Sequence, residues 1–177
     1  MDPFATLGLE RTYRLDLRAV EKTHRELSRA LHPDRYVGSG ASERREALEK
    51  AVLVNEAWRI VRDPIRRAEA LFTLAGLQVG DTHEPKPATS LLMDMMEQRE
   101  TLAEARGKRD AKAVDRLVQE MTGRKTAIEE ELAAAFEGAG GDPEKLTRLV
   151  AKLGELRYYR RFLEEASAIL DDLGTPS

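Results

Sequence analysis

The tripeptide His32-Pro33-Asp34 puts an imidazole and a carboxylate on either side of a proline. Proline breaks the helical hydrogen-bond ladder and disfavours helical geometry at the residue before it. Both polar groups are therefore held at the mouth of a loop, where they can bond an arginine or a backbone segment of another protein. Just upstream, Arg18, Lys22, Arg25 and Arg29 recur at i, i+4, i+7 and i+11, which makes one cationic stripe along a helix. Glu21 and Glu26 ease the repulsion within it, and an ordinary solvated face has the same look. Nothing here resembles catalytic machinery. Cysteine is absent, which removes disulfides, thiolate catalysis and Cys-ligated metals together. His24, His32 and His83 lack the spacing of a helical metal site, and no phosphate-cradling glycine loop is present. The residues point to binding without catalysis, metal or cofactor. A helix-turn-helix would need a recognition helix just after a tight turn. Here the cations precede a long loop from His32 to Ala41, and the net charge of −3 is wrong for a nucleic-acid coat.

A second grouping lies in Leu91-Leu92-Met93-Asp94-Met95-Met96-Glu97-Gln98-Arg99-Glu100. Leu91, Met95 and Leu102 make one helical stripe. Leu92, Met96 and Ala103 make a second beside it, with Met93 adjacent. A bundle helix needs roughly one such stripe. The excess, flanked by Glu97, Arg99 and Glu100, suits a protein-docking patch, since methionine adapts to a partner's shape. Packing against the first half of the chain would account for it equally well.

The elements that position these groups are all helical, and period-2 alternation is nearly missing. The 177 residues are 41% apolar and 34% charged, which suits a globular chain of one large or two small domains. No apolar run is long enough to span a membrane, no secretory leader is expected, and a reducing cytoplasm suits the composition. Asp2 and Asp16 are expected to cap helices, the second running to about Leu31 with Leu17, Val20, Leu27, Leu31 and His24 inward. A third helix spans about Ser42 to Arg62. Its stripe of Leu48, Ala51, Asn55, Trp58 and Val61 should pack antiparallel on the second. Asp63-Pro64 ends or bends it before a further segment closed by Gly76. Residues 79–87 hold two prolines and a glycine and read as a linker. Charge divides there too: 14 basic and 12 acidic groups before residue 81, 15 and 20 from it onward. Three helices then follow. The first runs from about Ala88 to Arg106, capped by Thr89 or Ser90, and the second from about Asp110 to Phe136, ended by Gly138. The third runs from about Pro143 to Leu173, capped by Asp142.

The helical hairpin joined by a loop bearing His32-Pro33-Asp34 resembles a J-domain, the DnaJ module. Val54-Asn55-Glu56-Ala57-Trp58, Asp63-Pro64 and Arg67 resemble its third helix and the end of it. The resemblance extends to residues 91–100, which look like the apolar-acidic signature of the HscB family, J-type co-chaperones of iron–sulfur cluster assembly. It implies a J-domain over 1–78, the linker, and a three-helix scaffold-binding domain over 88–177. It further implies that His32, Pro33, Asp34, Lys22, Arg25, Arg29 and Arg35 contact an HscA/DnaK-class chaperone and stimulate its ATPase. Leu92, Met93, Met96, Glu97, Arg99, Glu100 and Tyr158 would contact an IscU-type scaffold. Arg35 stands where the family more often has lysine, Met96 where it more often has leucine, and Gln98 where an apolar residue is usual. A J-domain protein delivering a different client to DnaK is the alternative. The linker would set the effective concentration of one partner for the other.

Overall fold

The computed structural model describes residues 1–80 and 88–174, so the expected linker, apart from Val79 and Gly80, and His83 within it lie outside the described residues. Among the described residues there are helices and no strands. Helix α1 spans Pro3–Thr6, α2 Leu17–Ala30, α3 Ala41–Arg62, α4 Pro64–Leu74, α5 Thr89–Gly107, α6 Ala111–Ala139, α7 Pro143–Thr147 and α8 Ala151–Gly174. Local chemistry sets most of the starts. Asp2, Asp16, Asp63 and Asp142 each accept backbone N–H bonds at a helix N-terminus, with proline at the opening of α1, α4 and α7. Helix α5 differs: Ala88 is its N-cap, and neither Thr89 nor Ser90 caps it.

Helices α2 and α3 form the expected hairpin, with α1 against α3. Of the stripe expected on α3, Asn55 and Trp58 meet His24 of α2. Ala47, Val54, Ala57 and Val61 are buried, whereas Leu48 is 58% exposed. Leu48 lies about 100° round the helix from Ala47, at the margin of the buried face. Leu17, at the first turn of α2, is likewise exposed. His24 faces inward and stacks on Trp58 at 5.4 Å, with Nε2 2.9 Å from Asn55 Oδ1.

Helices α5, α6 and α8 form the bundle. Two boundaries depart from expectation. Helix α6 runs through Gly138 and ends at Gly140, whose φ of +58° is the left-handed geometry that glycine adopts without strain. The last long helix is broken between α7 and α8. Leu149 N–H donates to Leu146 O and Val150 N–H to Thr147 O, a tightened turn that buries Leu146, Leu149 and Val150 together.

The two halves share one continuous core. Phe136 of α6 meets Phe72 of α4 at 4.9 Å and Tyr13 at 6.0 Å. Around it, Arg157 pairs with Glu69 at 2.5 Å and Arg160 with Asp63 at 3.2 Å. Arg14 reaches Glu130 at 2.7 Å and Glu137 at 3.0 Å. Arg67, buried from α4, donates to the Tyr13 carbonyl at 2.7 Å and lies 4.9 Å from that ring. This packing, rather than the linker alone, sets the spacing of any two surfaces carried by the two halves.

Candidate protein-docking sites

The first site is the corner after α2. Pro33 opens a 3-10 turn over Pro33–Tyr36, and His32 takes extended geometry as its N-cap. His32 Nδ1 accepts the Asp34 N–H at 3.3 Å, and Asp34 Oδ2 lies 3.5 Å from the same nitrogen. Tyr36 donates its hydroxyl to Ala30 O at 3.3 Å and ties the turn to the end of α2. His32, Pro33, Asp34 and Arg35 are all exposed. The corner thus offers a held imidazole and a solvated carboxylate with no cover.

Arg18, Lys22, Arg25 and Arg29 are exposed along the outer face of α2. Arg25 is engaged by Glu21 at 2.5 Å. Among the described residues Arg18, Lys22 and Arg29 form no ion pair, which leaves a positive ridge running toward the corner. Such a ridge speeds encounter with an acidic surface, and salt screens it.

The second site is the open face of α5. Leu102 and Ala105 are buried against the bundle, while Leu92, Met93 and Met96 are 45%, 67% and 64% exposed. Among the described residues α5 packs chiefly on α6 and α8. Glu97, Arg99 and Glu100 are exposed beside it, and Gln98 is half-buried. The helix is fixed by Arg124 of α6, which bonds Asp94 at 2.6 Å and Glu120 at 2.7 Å. Burial works against the charge of Arg124, but these carboxylates, with a bond to Tyr159, raise its pKa. Tyr158 of α8 is half-buried and donates its hydroxyl to Met95 O at 3.0 Å. Burial raises the Tyr158 pKa, with the charge of Asp94 adding to it and that of Arg99 opposing. The tyrosine is therefore a neutral donor that braces α5 from α8.

The residues expected at each surface are brought together, three on α2 and four at the corner, six on α5 with Tyr158 alongside. The two surfaces sit on elements with different neighbours, α2 on α3 and α5 on α6 and α8. The Tyr13–Arg67–Phe136 junction was not legible as such, although Arg67 belongs to a recognisable motif. No group of His, Asp and Glu that could hold a metal occurs among the described residues. No helix among them is long and apolar enough to cross a membrane.

Known proteins share this arrangement. Residues 87–167 match a family model described as the HSCB C-terminal oligomerisation domain. The co-chaperone protein HscB homolog of Ralstonia nicotianae is 32% identical over 169 residues, 96% of each chain. That of Cupriavidus taiwanensis is 33% identical over 171 residues, covering 97% of this chain and 96% of its own. Among solved structures, chaperone HscB from Vibrio cholerae superposes with a TM-score of 0.83 at 24% identity, over 98% of this chain and 99% of that one. Human co-chaperone HscB gives 0.80 at 22% identity, over 95% and 81%. These structures share the fold, a J-domain followed by a helical bundle.

Proposed function

Since the chain belongs to the HscB family of co-chaperones, we propose that it presents an IscU-type iron–sulfur scaffold to an HscA/DnaK-class chaperone in the cytoplasm and stimulates that chaperone's ATPase. On this reading residues 1–78 act as the J-domain and 88–177 as the scaffold-binding domain. The observation that carries it is the apolar face of Leu92, Met93 and Met96 left open on the bundle, in a chain whose other half displays an uncovered His32-Pro33-Asp34 corner.

Hydrolysis takes place in the partner, so this chain needs no catalytic group of its own. It shifts the chaperone's equilibrium by binding its hydrolysis-competent state more tightly than the other state. Lys22, Arg25, Arg29 and Arg35 attract the acidic partner, and His32 and Asp34 on their proline brace make the state-dependent contacts. Leu92, Met93 and Met96 fill apolar recesses of the scaffold, while Glu97, Arg99 and Glu100 at the rim set its orientation. Tyr158 supports that face from α8. Because both surfaces ride on one packed body, captured scaffold is held at a defined place relative to the chaperone.

A steady-state ATPase titration of HscA and of DnaK, with and without scaffold, tests this. Stimulation by the chain, enhanced by scaffold, is the expected result. Absence of stimulation of either chaperone overturns the reading. Stimulation of DnaK without any scaffold binding favours a different client.

A further inference from the structure

The chain has no cysteine, so its five methionines carry all of its sulfur. The fold sorts them. Met121 of α6 is fully buried in the bundle, and Met95 of α5 is half-buried. Met1, Met93 and Met96 are 62%, 67% and 64% exposed. Met1 lies on the first half, against α3 and α4. Met93 and Met96 are three residues apart and share the open face of α5 with Leu92. Two of the three accessible sulfurs therefore sit on the surface where a partner would dock.

A thioether needs no deprotonation to react. Hydrogen peroxide transfers one oxygen atom to the sulfur lone pair: the O–O bond breaks, an S–O bond forms, the sulfur loses two electrons and the peroxide leaves as water. The product is a polar sulfoxide in place of an adaptable apolar tip. Carried into an apolar recess with no donor, the sulfoxide oxygen gives up its water and gains no partner. In the free protein it stays hydrated. The helix beneath is held from its other side, by buried Leu102 and Ala105 and by the Asp94–Arg124 pair at 2.6 Å. Oxidation here therefore acts on docking and not on folding. We propose that Met93 and Met96 form an oxidation-sensitive site on the docking face of α5. Peroxide converts them to sulfoxides and weakens scaffold capture. A methionine sulfoxide reductase, drawing two electrons from a dithiol, restores the thioethers and releases water and a disulfide. The proposal rests on the scaffold reading above.

The test treats the full chain with hydrogen peroxide, removes the peroxide, and titrates the chain with untreated IscU-type scaffold by calorimetry. Peptide mass spectrometry should find Met1, Met93 and Met96 oxidised well before Met95 and Met121. Scaffold affinity should fall about tenfold or more, with the thermal midpoint unchanged. It should return after incubation with a dithiol and both methionine sulfoxide reductases, one for each sulfoxide epimer. A variant with Met93→Leu and Met96→Leu keeps the apolar volume and removes both sulfurs from the face. It should bind scaffold within about threefold of the parent. The same peroxide treatment should leave its affinity untouched, although its Met1 oxidises as before. An oxidised parent that binds within about twofold of the untreated chain overturns the proposal. So does an equal loss of affinity in the leucine variant, or sulfoxide at Met121 ahead of Met93 and Met96. A parent chain that binds no scaffold before oxidation overturns the scaffold reading instead, so the two failures are distinguishable.

Discussion

Truncating the exposed face of α5 separates docking energy from folding energy. Full burial of a leucine or methionine side chain is worth about 1.5–3 kcal/mol. Leu92 is 45% exposed and Met96 64% exposed, so only that remaining fraction is available to a partner. Covering it is worth about 1 kcal/mol at Leu92 and about 1.5 kcal/mol at Met96. Leu92→Ala should therefore weaken scaffold binding about fivefold and Met96→Ala about tenfold. The two lie four residues apart on one face, so the double variant will depart from the product of the singles if they fill one recess. Neither truncation opens a cavity in the free protein, and its stability should stay within about 0.5 kcal/mol of the parent. Leu102 is the contrast. It is 1% exposed on the inner face of the same helix, and Leu102→Ala should cost about 2–5 kcal/mol of stability. Isothermal titration against purified scaffold, paired with urea unfolding, reads both quantities. Folded Leu92→Ala and Met96→Ala proteins that bind within twofold of the parent would refute the assignment of this face.

His32→Gln should abolish ATPase stimulation while leaving scaffold affinity unchanged; joint loss of both in a folded protein would count against two separate surfaces. Arg67→Ala strands the buried Tyr13 carbonyl and removes packing between the halves, and urea unfolding should show a loss of about 2–3 kcal/mol; an unchanged midpoint would contradict that role. The Asp2 carboxyl titrates below its ordinary value. Burial pushes it up, but the Ala5 N–H, the Arg11 guanidinium and the Phe4 N–H together outweigh burial. A carboxyl depressed in the folded state stabilises fully above its unfolded value, about pH 4, and loses that contribution as pH falls through the lower folded value. Stability curves of the parent and Asp2→Asn should converge toward about pH 2 and separate by pH 5, with the parent higher. Curves that stay parallel across that range would show that Asp2 contributes no linked stability.

Much of this molecule is legible in the chain because its signals are local. Asp2-Pro3, Asp16, Asp63-Pro64 and Asp142-Pro143 each begin a helix through bonds to N–H groups two or three residues away. The Pro33 corner and the apolar excess between Leu91 and Met96 are equally local, since proline acts on its neighbour and helical spacing repeats every few residues. Tertiary packing decided the rest. It buried Ala47, Val54 and Ala57 on α3 and turned Leu48 outward, a choice between neighbouring helical positions that periodicity alone does not rank. It broke the last helix so that Leu146, Leu149 and Val150 could all reach the core. It also tied Arg67 to Tyr13 within the first half and joined the halves through Glu69 to Arg157, Asp63 to Arg160 and Arg14 to Glu137, pairs 54, 88, 97 and 123 residues apart. Groups that distant in the chain leave no periodic trace, and only the folded backbone brings their charges within bonding range.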